Sequence, residues 1–333
     1  MSELHNLLTD VGGLKVGHAQ NDEALTGCTV VLVEKGAVGG VDQRGGAPGT
    51  RETDLLRPMH MVDKVHGIVL SGGSAFGLDA ATGVVKYLEE KGIGFNSGPV
   101  RVPIVPAAVL FDLGIGSSSI RPDAAMGYQA CQNATDGVFA TGNVGAGTGA
   151  TVGKIFGMGQ AMKSGIGSSS MDIGGGVIVS ALVAVNAFGD IVDPATRQII
   201  AGARPVQAGP FTIGGKEQFA NTLEVMKSIT GRTIMTFASA ASNTVIGIVA
   251  TNANLNKEEV NKVAQMSHNG LALTIRPAHT MFDGDTIFAI ATGKHKADVN
   301  IVGAFAVEVM AQAVINAVVS AKPAANLPAA YRE

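Results

Sequence analysis

Short apolar runs rich in β-branched residues recur along this chain, and each is bounded by glycine, proline or polar residues. Runs of this kind are typical of strands that are buried on both faces. They predict strands at residues 28–33, 66–70, 177–186, 245–251 and 286–292. Residues 102–111 are also apolar, but prolines interrupt them, which favours an extended or edge segment.

Between these runs the apolar spacing changes to that of helices. A helix is predicted from the turn at residues 71–77 to about Lys91, with Gly92 closing its end. Further helices are predicted at residues 216–229, after Asn256, and at 300–321. Asn256 is expected to cap its helix, because Glu259 stands three residues later in the capping-box position. The alternation of strands and helices predicts a layered α/β domain, although it leaves the strand order open.

The longest apolar stretch, residues 301–321, approaches the length of a membrane span. It carries Glu308, Gln312 and Asn316, which follow one another four residues apart and therefore share one helical face. This spacing favours a mostly buried amphipathic helix over a membrane span. The first residues of the chain lack the basic segment and apolar core of a signal peptide. We therefore expect a cytoplasmic protein with no membrane partner.

Composition narrows the class of protein. The chain has 333 residues, of which 46% are hydrophobic and 15% charged, so it can bury a large core. Its 45 glycines in an apolar chain indicate tight turns and closely packed layers rather than disorder. A formal net charge of -3 without clustered Lys and Arg argues against nucleic acid as a partner. Cys28 and Cys131 lack metal-ligand spacing and are expected to be buried thiols rather than a disulfide.

The junction between Asn243 and Thr244 is the most informative position. A run of small residues, 238–242, leads to a threonine that opens an apolar, β-branched run. Cleavage of this junction would make Thr244 a new chain start, with its hydroxyl as nucleophile and its freed α-amine as base. An α-amine has an unperturbed pKa of about 8, which suits a base near neutral pH. The alternative is a buried threonine at the start of a strand.

Two carboxylates, Asp283 and Asp285, flank a glycine just before another predicted strand. This spacing places both on one side of a tight turn, where one could orient Thr244 and the other hold an ammonium group. The alternative is an aspartate-stabilised turn without catalytic use. A metal site is disfavoured, because His279 is the only other ligand type nearby, and we expect neither a metal nor a cofactor.

Lys154 follows a glycine-rich loop, and Asn186 ends an apolar strand. The loop resembles a phosphate-binding loop, but Gly149 and Gly153 are one residue too close and Ile155 replaces the Ser or Thr that would meet magnesium. Lys154 is a candidate catalytic cation, with a solvated surface lysine as the alternative. Asn186 is a candidate oxyanion donor, with a turn-forming asparagine as the alternative.

Other reactive residue types are weaker candidates. Ser74 lies in a segment that resembles a serine-hydrolase elbow, but the second glycine is displaced by one position. His18, His66 and His268 have no partners at ligand spacing and are expected to be structural or surface residues.

Taken together, these motifs resemble the family of β-peptidyl aminopeptidases, D-aminopeptidases and nylon-oligomer hydrolases, which are self-processing N-terminal-nucleophile hydrolases. The stretches that carry the resemblance are residues 9–18, 27–32, 41–53, 70–78, 145–154, 243–251 and 279–286. The resemblance implies one four-layer αββα sandwich over residues 1–333, of the ornithine-acetyltransferase-like type. It also implies autocleavage into 1–243 and 244–333, and a homo-oligomer of the processed units, with a tetramer favoured.

The Asn-Thr junction is similar to that of the nylon-oligomer hydrolases, whereas several aminopeptidases of the family have Gly-Ser. In that branch the resemblance implies that Thr244 is the nucleophile, Lys154 the catalytic lysine and Asn186 the asparagine on the oxyanion side. It likewise implies that Asp283 and Asp285 are the paired acids, which a hydroxyl residue and Glu replace in the aminopeptidases. Phe111 departs from the pattern, because nylon-type members carry a Tyr there; Asn186 and backbone N–H groups are then expected to stabilise the oxyanion.

The sequence therefore predicts a self-processing amide or peptide hydrolase with an N-terminal Thr nucleophile. Its predicted substrates are short peptides with a free amine, β- or D-amino acid amides, or linear ω-amino acid oligomers. One alternative is an acyltransferase of the ornithine acetyltransferase type, which passes the acyl group to an amine instead of water. A second alternative is a glycine-rich ligand-binding protein that is never cleaved.

Overall fold

The structure of the chain is a computed structural model. It describes residues 4–208, 211–215, 217–229, 231 and 243–330, so the small-residue run 238–242 lies outside the described residues. The described helices are α1 (Ala80–Glu90), α2 (Ala124–Gln132), α3 (Thr222–Lys227), α4 (Lys257–Thr274) and α5 (Val299–Val319). The described strands are β1 (Lys15–Asn21), β2 (Thr26–Gln43), β3 (Thr50–Arg51), β4 (Lys64–Ser71), β5 (Phe95–Asn96), β6 (Arg101–Val102), β7 (Ala107–Val109), β8 (Thr151–Val152), β9 (Met162–Lys163), β10 (Ile166–Asp172), β11 (Ile178–Asn186), β12 (Asp190–Val192), β13 (Ile199–Ala201), β14 (Val206–Ala208), β15 (Phe211–Ile213), β16 (Thr244–Ala253), β17 (Ile275–Arg276) and β18 (Thr286–His295).

Nine strands join in one hydrogen-bonded path, in the order β10-β11-β16-β18-β2-β4-β7-β3, with β1 also paired to β2. The pairs β16–β18 and β4–β7 are parallel, and the other pairs of the path are antiparallel. Strand β2 is 18 residues long, and its two halves have different neighbours. The first half pairs with β1 and β4, whereas residues 38–43 pair with β18. β2 therefore connects β18, on one side of the path, with β1 and β4 on the other.

Three apolar cores divide the path into two stacked sheets covered by helices. One core lies between α4–α5 and the strands β11, β16 and β18; a second contains residues of β2 and β4 together with residues of β11, β16 and β18; a third lies between α1–α2 and the strands β2 and β4. β16 shows the alternation that this requires, because Val245 and Val249 face the first core while Ile246 and Ile248 face the second. The order of layers is helix, sheet, sheet, helix, as the resemblance implied.

Local signals in the sequence are confirmed at several elements. All five predicted buried strands are present, within β2, β4, β11, β16 and β18. Asn256 and Glu259 form the predicted capping box of α4, with the side chain of each accepting the backbone N–H of the other at 2.9 and 2.8 Å. Gly92 follows the end of α1 in the left-handed conformation, with φ +66°. Cys28 and Cys131 are buried free thiols.

The helix predicted at residues 216–229 is wrong in extent. Residues 217–221 are not helical, and helix α3 begins after Asn221 because that side chain accepts the N–H groups of Leu223 and Glu224. Gly214 and Gly215, just before the predicted start, both adopt positive φ values of about 95° that are incompatible with a right-handed helix. Residue 216 itself lies outside the described residues.

Helix α5 is long and apolar enough to cross a membrane by length and composition, but more than half of its most apolar window is buried inside the molecule. Its buried side chains belong to the core shared with α4 and β11. Glu308 and Gln312 are exposed, and Asn316 donates to the carbonyl oxygen of Ser168 at 2.8 Å. The apolar character of α5 is thus explained by its place in the core, as the spacing of its polar residues predicted.

Candidate active site

The ends of three neighbouring strands bring the predicted site residues together. Asn186 is the last residue of β11 and Thr244 the first of β16, and the two form a register pair in this antiparallel ladder. β18 begins at Thr286 beside Ile246 of β16, so the acidic turn before it lies on the other side of Thr244. Asn186, Thr244 and the two aspartates are all buried.

At the Asn243–Thr244 junction, the peptide carbonyl oxygen of Asn243 accepts two hydrogen bonds. One comes from the Thr244 hydroxyl at 2.5 Å and the other from the Gly284 N–H at 2.8 Å. The N–H of Asn243 donates to the carbonyl oxygen of Phe282 at 3.1 Å, so Asn243 forms a parallel β-bridge with Asp283. Two donors on one buried carbonyl polarise it and hold the threonine hydroxyl beside it.

Gly284 is a position of the candidate site that the sequence reasoning missed. A Cβ atom there would lie 2.6 Å from the Ala47 oxygen and 2.8 Å from Thr244 Oγ1, so only glycine fits. A backbone N–H carries no side-chain signature. The one available signal was the glycine between the two aspartates.

Asp285 connects the strand of Thr244 to His279. Its Oδ1 accepts the N–H of Val245 at 2.8 Å, and its Oδ2 accepts both the N–H and the Nδ1 of His279 at 3.1 and 2.7 Å. His279 has φ +57°, which lets its backbone and ring reach the same oxygen. Burial lowers the pKa of His279, but the hydrogen bond and charge of Asp285 outweigh it, so the pKa is raised. The sequence analysis had considered the chemistry of His279 only in arguing against a metal site.

Asp283 is held within its own turn. Its Oδ2 accepts the N–H and the hydroxyl of Thr280 at 2.8 and 2.6 Å. Burial raises the pKa of Asp283, and the charge of Asp285 adds to this, against the Thr280 hydrogen bonds and the attraction of Lys154. Asp283 therefore stabilises its turn, as the alternative interpretation of the sequence had it, and it also lies in the candidate site.

The loop at residues 44–49 covers the acidic turn through backbone hydrogen bonds. Arg44 donates its N–H to the carbonyl oxygen of Asp285 at 3.0 Å, and Ala47 donates to that of Asp283 at 2.9 Å. A Cβ on Gly45 would lie 2.1 Å from the Asp283 oxygen, so this close approach requires glycine. The motif at residues 41–53 thus encloses the two acids.

Lys154 is buried, with 7% of its surface exposed, so the surface-lysine alternative is wrong. Its Nζ donates to the side-chain oxygen of Asn186 at 2.6 Å and to the backbone oxygen of the same residue at 3.1 Å. Burial lowers the pKa of Lys154 to about 7, against the attraction of Asp283 and Asp112 and with a small contribution from Lys163. Near pH 7 this amine therefore exists in both its charged and its neutral form.

Both the side-chain oxygen and the amide nitrogen of Asn186 bind neighbouring residues. Besides Lys154, its oxygen accepts the N–H and the hydroxyl of Thr151 at 3.1 and 3.2 Å. Its amide nitrogen donates to the carbonyl oxygen of Phe111 at 2.9 Å. These bonds orient the asparagine toward the lysine, while Gly284 supplies the donor on the Asn243 carbonyl. The oxyanion role of Asn186 stays a prediction.

A cavity of about 80 Å³ adjoins the junction. Its walls are mainly apolar, and Lys154 lies at its edge. It is lined by Phe111, Asp112, Gly114, Ile115, Gly149, Thr151, Lys154, Met158 and Asn243. Phe111, which the sequence analysis singled out as a departure from the family pattern, is one of the apolar residues of this wall.

Lys163 is a second buried lysine, and the sequence reasoning did not single it out. It has no exposed surface, and its Nζ donates to the carbonyl oxygens of Gly147, Ala150 and Ser164 at 3.2, 2.9 and 2.6 Å. Burial lowers the pKa of Lys163 to about 7, against the attraction of Asp112. It holds the glycine-rich loop that carries Gly149 into the cavity wall.

The remaining candidates take structural positions. Within the described residues the Ser74 hydroxyl forms no hydrogen bond. The rings of His18, His66 and His268 contact Thr29, the N–H of Ile104 and the carbonyl oxygen of Asp42, respectively. In the part of the chain that the structure describes, no three His, Cys, Asp or Glu residues are grouped so as to hold a metal ion.

Comparison with known proteins gives consistent matches over almost the whole chain. The model of peptidase family S58 matches residues 6–328. An uncharacterized aminopeptidase of Mycobacterium tuberculosis is 43% identical, with 98% of this chain and 97% of that protein covered. A 6-aminohexanoate-oligomer endohydrolase of Kocuria sp. (strain KY2) is 32% identical, with 92% and 84% covered.

Solved structures share the fold at lower identity. A beta-aminopeptidase of Burkholderia sp. has a TM-score of 0.68 at 20% identity, covering 99% of this chain and 90% of that one. The l-aminopeptidase d-ala-esterase/amidase of Ochrobactrum anthropi, described as a variant of the N-terminal-nucleophile hydrolase fold, has a TM-score of 0.70 at 18% identity, covering 96% and 88%. The chain therefore has this layered hydrolase fold.

The family and its relatives favour the predicted hydrolase over the acyltransferase and the ligand-binding alternatives. Because one family model spans nearly all of the sequence and two relatives exceed 30% identity over more than nine-tenths of it, this chain belongs to peptidase family S58 and is a hydrolase of amide bonds.

Proposed function

We propose that the chain cleaves itself between Asn243 and Thr244, and that Thr244 then serves as the N-terminal nucleophile of an amide hydrolase. The products of this cleavage are residues 1–243 and 244–333. The observation that carries the proposal is the buried Asn243 carbonyl, whose oxygen lies between the Thr244 hydroxyl and the Gly284 N–H. A nucleophile beside a polarised carbonyl is the arrangement that acyl transfer requires.

Self-cleavage begins with attack of Thr244 Oγ1 on the carbonyl carbon of Asn243. The hydroxyl proton passes to a base, and the C–N bond breaks as the Thr244 nitrogen takes up a proton. An ester then joins Asn243 to Thr244 Oγ1. Water hydrolyses this ester, which leaves a carboxyl group on Asn243 and restores the hydroxyl on Thr244. The only reactant consumed is one water molecule.

Lys154 is the proposed base of the first step, because the α-amine of Thr244 is still part of the peptide bond at that stage. Lys154 shares the wall of one cavity with Asn243 and binds Asn186, the register partner of Thr244. Its pKa of about 7 means that roughly half of it is neutral near pH 7 and able to accept a proton.

The mature enzyme repeats the same chemistry on a substrate. The Thr244 hydroxyl attacks the substrate amide, and its α-amine takes the proton and returns it to the leaving amine. Water, with the α-amine again as base, then releases the acid from the Thr244 ester. The Gly284 N–H, which donates to the Asn243 carbonyl in the uncleaved chain, becomes the oxyanion donor for the substrate.

The acids and Asn186 position these groups. Asp285 binds the N–H of Val245 and so fixes the backbone next to the nucleophile. Asp283 lies close enough to Lys154 for their charges to interact, and it is the proposed partner for the new ammonium of Thr244. Asn186 orients Lys154, with a further oxyanion role as proposed from the sequence.

The substrate class proposed from the relatives is broad. One relative is named an aminopeptidase and another a 6-aminohexanoate-oligomer endohydrolase. We accordingly propose short peptides with a free amine, β- or D-amino acid amides and linear ω-amino acid oligomers as candidate substrates. We also propose that the processed units form a homo-oligomer, with a tetramer favoured, and that the enzyme acts in the cytoplasm without nucleic acid or membrane partners.

Intact mass spectrometry of the denatured protein tests the proposal, with Thr244→Ala as the inactive variant and Thr244→Ser as its matched control. Wild type and T244S should each give two species, the first ending at Asn243. T244A should remain a single chain and hydrolyse no amide. A T244A protein that still divides at residue 243 and hydrolyses amides would refute the role of Thr244.

A further inference from the structure

Asp112 is a buried carboxylate that the proposed mechanism does not use. It is 4% exposed and lies in the wall of the cavity beside Asn243, which Lys154 also lines. Its Oδ2 accepts the Thr26 hydroxyl at 2.7 Å, and its Oδ1 accepts the N–H of Gly73 at 2.7 Å. Burial of a carboxylate is unfavourable unless its oxygens are hydrogen-bonded, so these two donors make the position suitable for a charged acid.

The glycine-rich loop at residues 145–153 packs directly on this carboxylate. A Cβ on Gly149 would lie 2.5 Å from the Cβ of Asp112 and 2.8 Å from its Oδ2, so the close approach requires glycine. Gly72 approaches from another segment, since a Cβ there would lie 2.1 Å from the same Oδ2. Lys154 follows the loop directly, so Asp112 helps to place the segment that leads to the lysine.

Lys163 contacts the same loop with the opposite charge. Its fully buried amine donates to the carbonyl oxygens of Gly147 and Ala150, and the charge of Asp112 attracts it. Burial raises the pKa of the Asp112 carboxyl, but the hydrogen bonds that it accepts and the charge of Lys163 oppose this rise and favour its charged form. Two buried groups of opposite charge therefore hold the loop.

The charge of Lys154 depends on its burial and on the ionisable groups around it. Burial has the largest effect and lowers the pKa of Lys154 to about 7. Asp283, from the acidic turn, and Asp112, from the segment after β7, favour the protonated amine, whereas Lys163, from β9, opposes it. Because Asp112 lines the same cavity as Lys154, loss of its charge would shift the balance toward the neutral amine.

We propose that Asp112 is a positioning residue of this active site, which holds the loop that leads to Lys154 and favours the charged form of that amine. This inference rests on the proposed function, in which neutral Lys154 is the base of self-cleavage. Asp112 then has two separable effects. Its hydrogen bonds place the loop and support cleavage at every pH, whereas its charge restrains cleavage at acidic pH by keeping the proton on Lys154.

The pH profile of self-cleavage in Asp112→Asn separates these effects, because asparagine keeps the size of the side chain and removes its charge. Precursors of wild type and D112N are trapped at about pH 5.5 and shifted to a series of higher pH values. Each profile is divided by its own plateau rate, which cancels a slower reaction that is common to all pH values. Thr26→Val is the matched control, because it removes one hydrogen bond to Asp112 and leaves the charge.

The midpoint of the D112N profile should move to lower pH by at least about half a unit, so its normalised rate at about pH 5.5 should be roughly threefold that of wild type. The plateau rate of D112N should fall, since an amide nitrogen cannot accept the hydrogen bond that a carboxylate oxygen accepts. T26V should also lower the plateau, with its midpoint at the wild-type pH.

Folding of each variant is checked by thermal unfolding in the T244A background, and Asp112→Ser is a second uncharged variant should D112N not fold. Failure of both to fold would overturn the inference, because Asp112 would then be required for folding. A lowered plateau with an unchanged midpoint in the folded uncharged variant would also overturn it, while leaving Lys154 as the base. A wild-type protein that never divides at residue 243, at any pH, would instead overturn the proposed function, and the inference with it.

Discussion

Lys154 donates its side-chain amine to both oxygen atoms of Asn186, the residue that stands opposite Thr244 in the sheet. The amine of Lys154 is therefore held by a residue whose position is fixed by the backbone of β11. Because the amine is buried and its pKa is lowered to about 7, a change of one proton near neutral pH alters the charge near the Asn243–Thr244 junction.

Substitutions of Lys154 distinguish a role as a base from a role as a fixed positive charge. Lys154→Met removes both, and Lys154→Arg keeps a cation that cannot release its proton in a protein. If Lys154 is the base of self-cleavage, both variants should process roughly 10²–10⁴-fold more slowly than wild type. Time courses of precursor loss on denaturing gels measure this. An arginine variant that processes at the wild-type rate would show that charge alone suffices.

The rate of self-cleavage should depend on pH with a defined sign. Below its pKa of about 7 Lys154 is protonated and cannot accept the threonine proton, so the rate should fall about tenfold per pH unit. Above pH 7 the neutral amine dominates and the rate should level off. Precursor trapped by lysis at about pH 5.5 after brief induction, then shifted to a series of higher pH values, gives the profile. A rate that is flat from pH 5.5 to 8 would contradict the proposed base.

Gly284→Ala should slow self-cleavage by about 10²-fold, the usual effect of losing one oxyanion donor. The new Cβ would lie 2.6 Å from the Ala47 oxygen and 2.8 Å from Thr244 Oγ1, so the turn and the hydroxyl must move apart. Gly114→Ala, in the wall of the cavity beside Asn243, is the matched control, because its Cβ would meet only Met158 Cγ, at 3.9 Å. Equal processing of the two variants, by mass spectrometry, would show that the Gly284 N–H is dispensable.

His279 should act as a positioning residue for Asp285. His279→Ala removes the ring donor at 2.7 Å and places alanine at φ +57°, whereas His279→Asn keeps a nearby donor and tolerates this conformation. In the processed enzyme, H279A should lower kcat roughly tenfold with little change in KM, and H279N should recover most of the loss. A change in KM with kcat unaltered would contradict a role of His279 through Asp285. So would a failure of H279N to recover the lost kcat.

Side-chain patterns in the sequence predicted much of this site. The change from small to β-branched residues indicated Thr244, and the end of an apolar strand indicated Asn186. The two acids that flank a glycine indicated Asp283 and Asp285. The layer order came from the family resemblance, since short apolar runs do not encode strand order. Periodicity failed at α3, where the capping side chain of Asn221 and two left-handed glycines limit the helix.

What the sequence did not reveal depends on contacts between distant segments. The Gly284 N–H is a backbone group, so no residue type announces it. Lys163 is enclosed by carbonyl groups of the glycine-rich loop, and nothing in its immediate sequence distinguishes it from a surface lysine. The His279 ring binds Asp285 from a backbone that adopts a positive φ. Each of these features appears only when the chain is folded.

The positions of β16 and β18 in the sheet have a consequence for the proposed self-cleavage. Both strands come after the junction, yet they lie between β11 and β2, which come before it. A cut at residue 243 therefore leaves the two fragments interleaved rather than side by side. The uncut chain folds as a single molecule, whereas a denatured, processed enzyme must reassemble by collision of two separate chains, at a rate that depends on concentration. Self-cleavage would thus turn folding into a nearly one-way event, recoverable at high dilution only with difficulty.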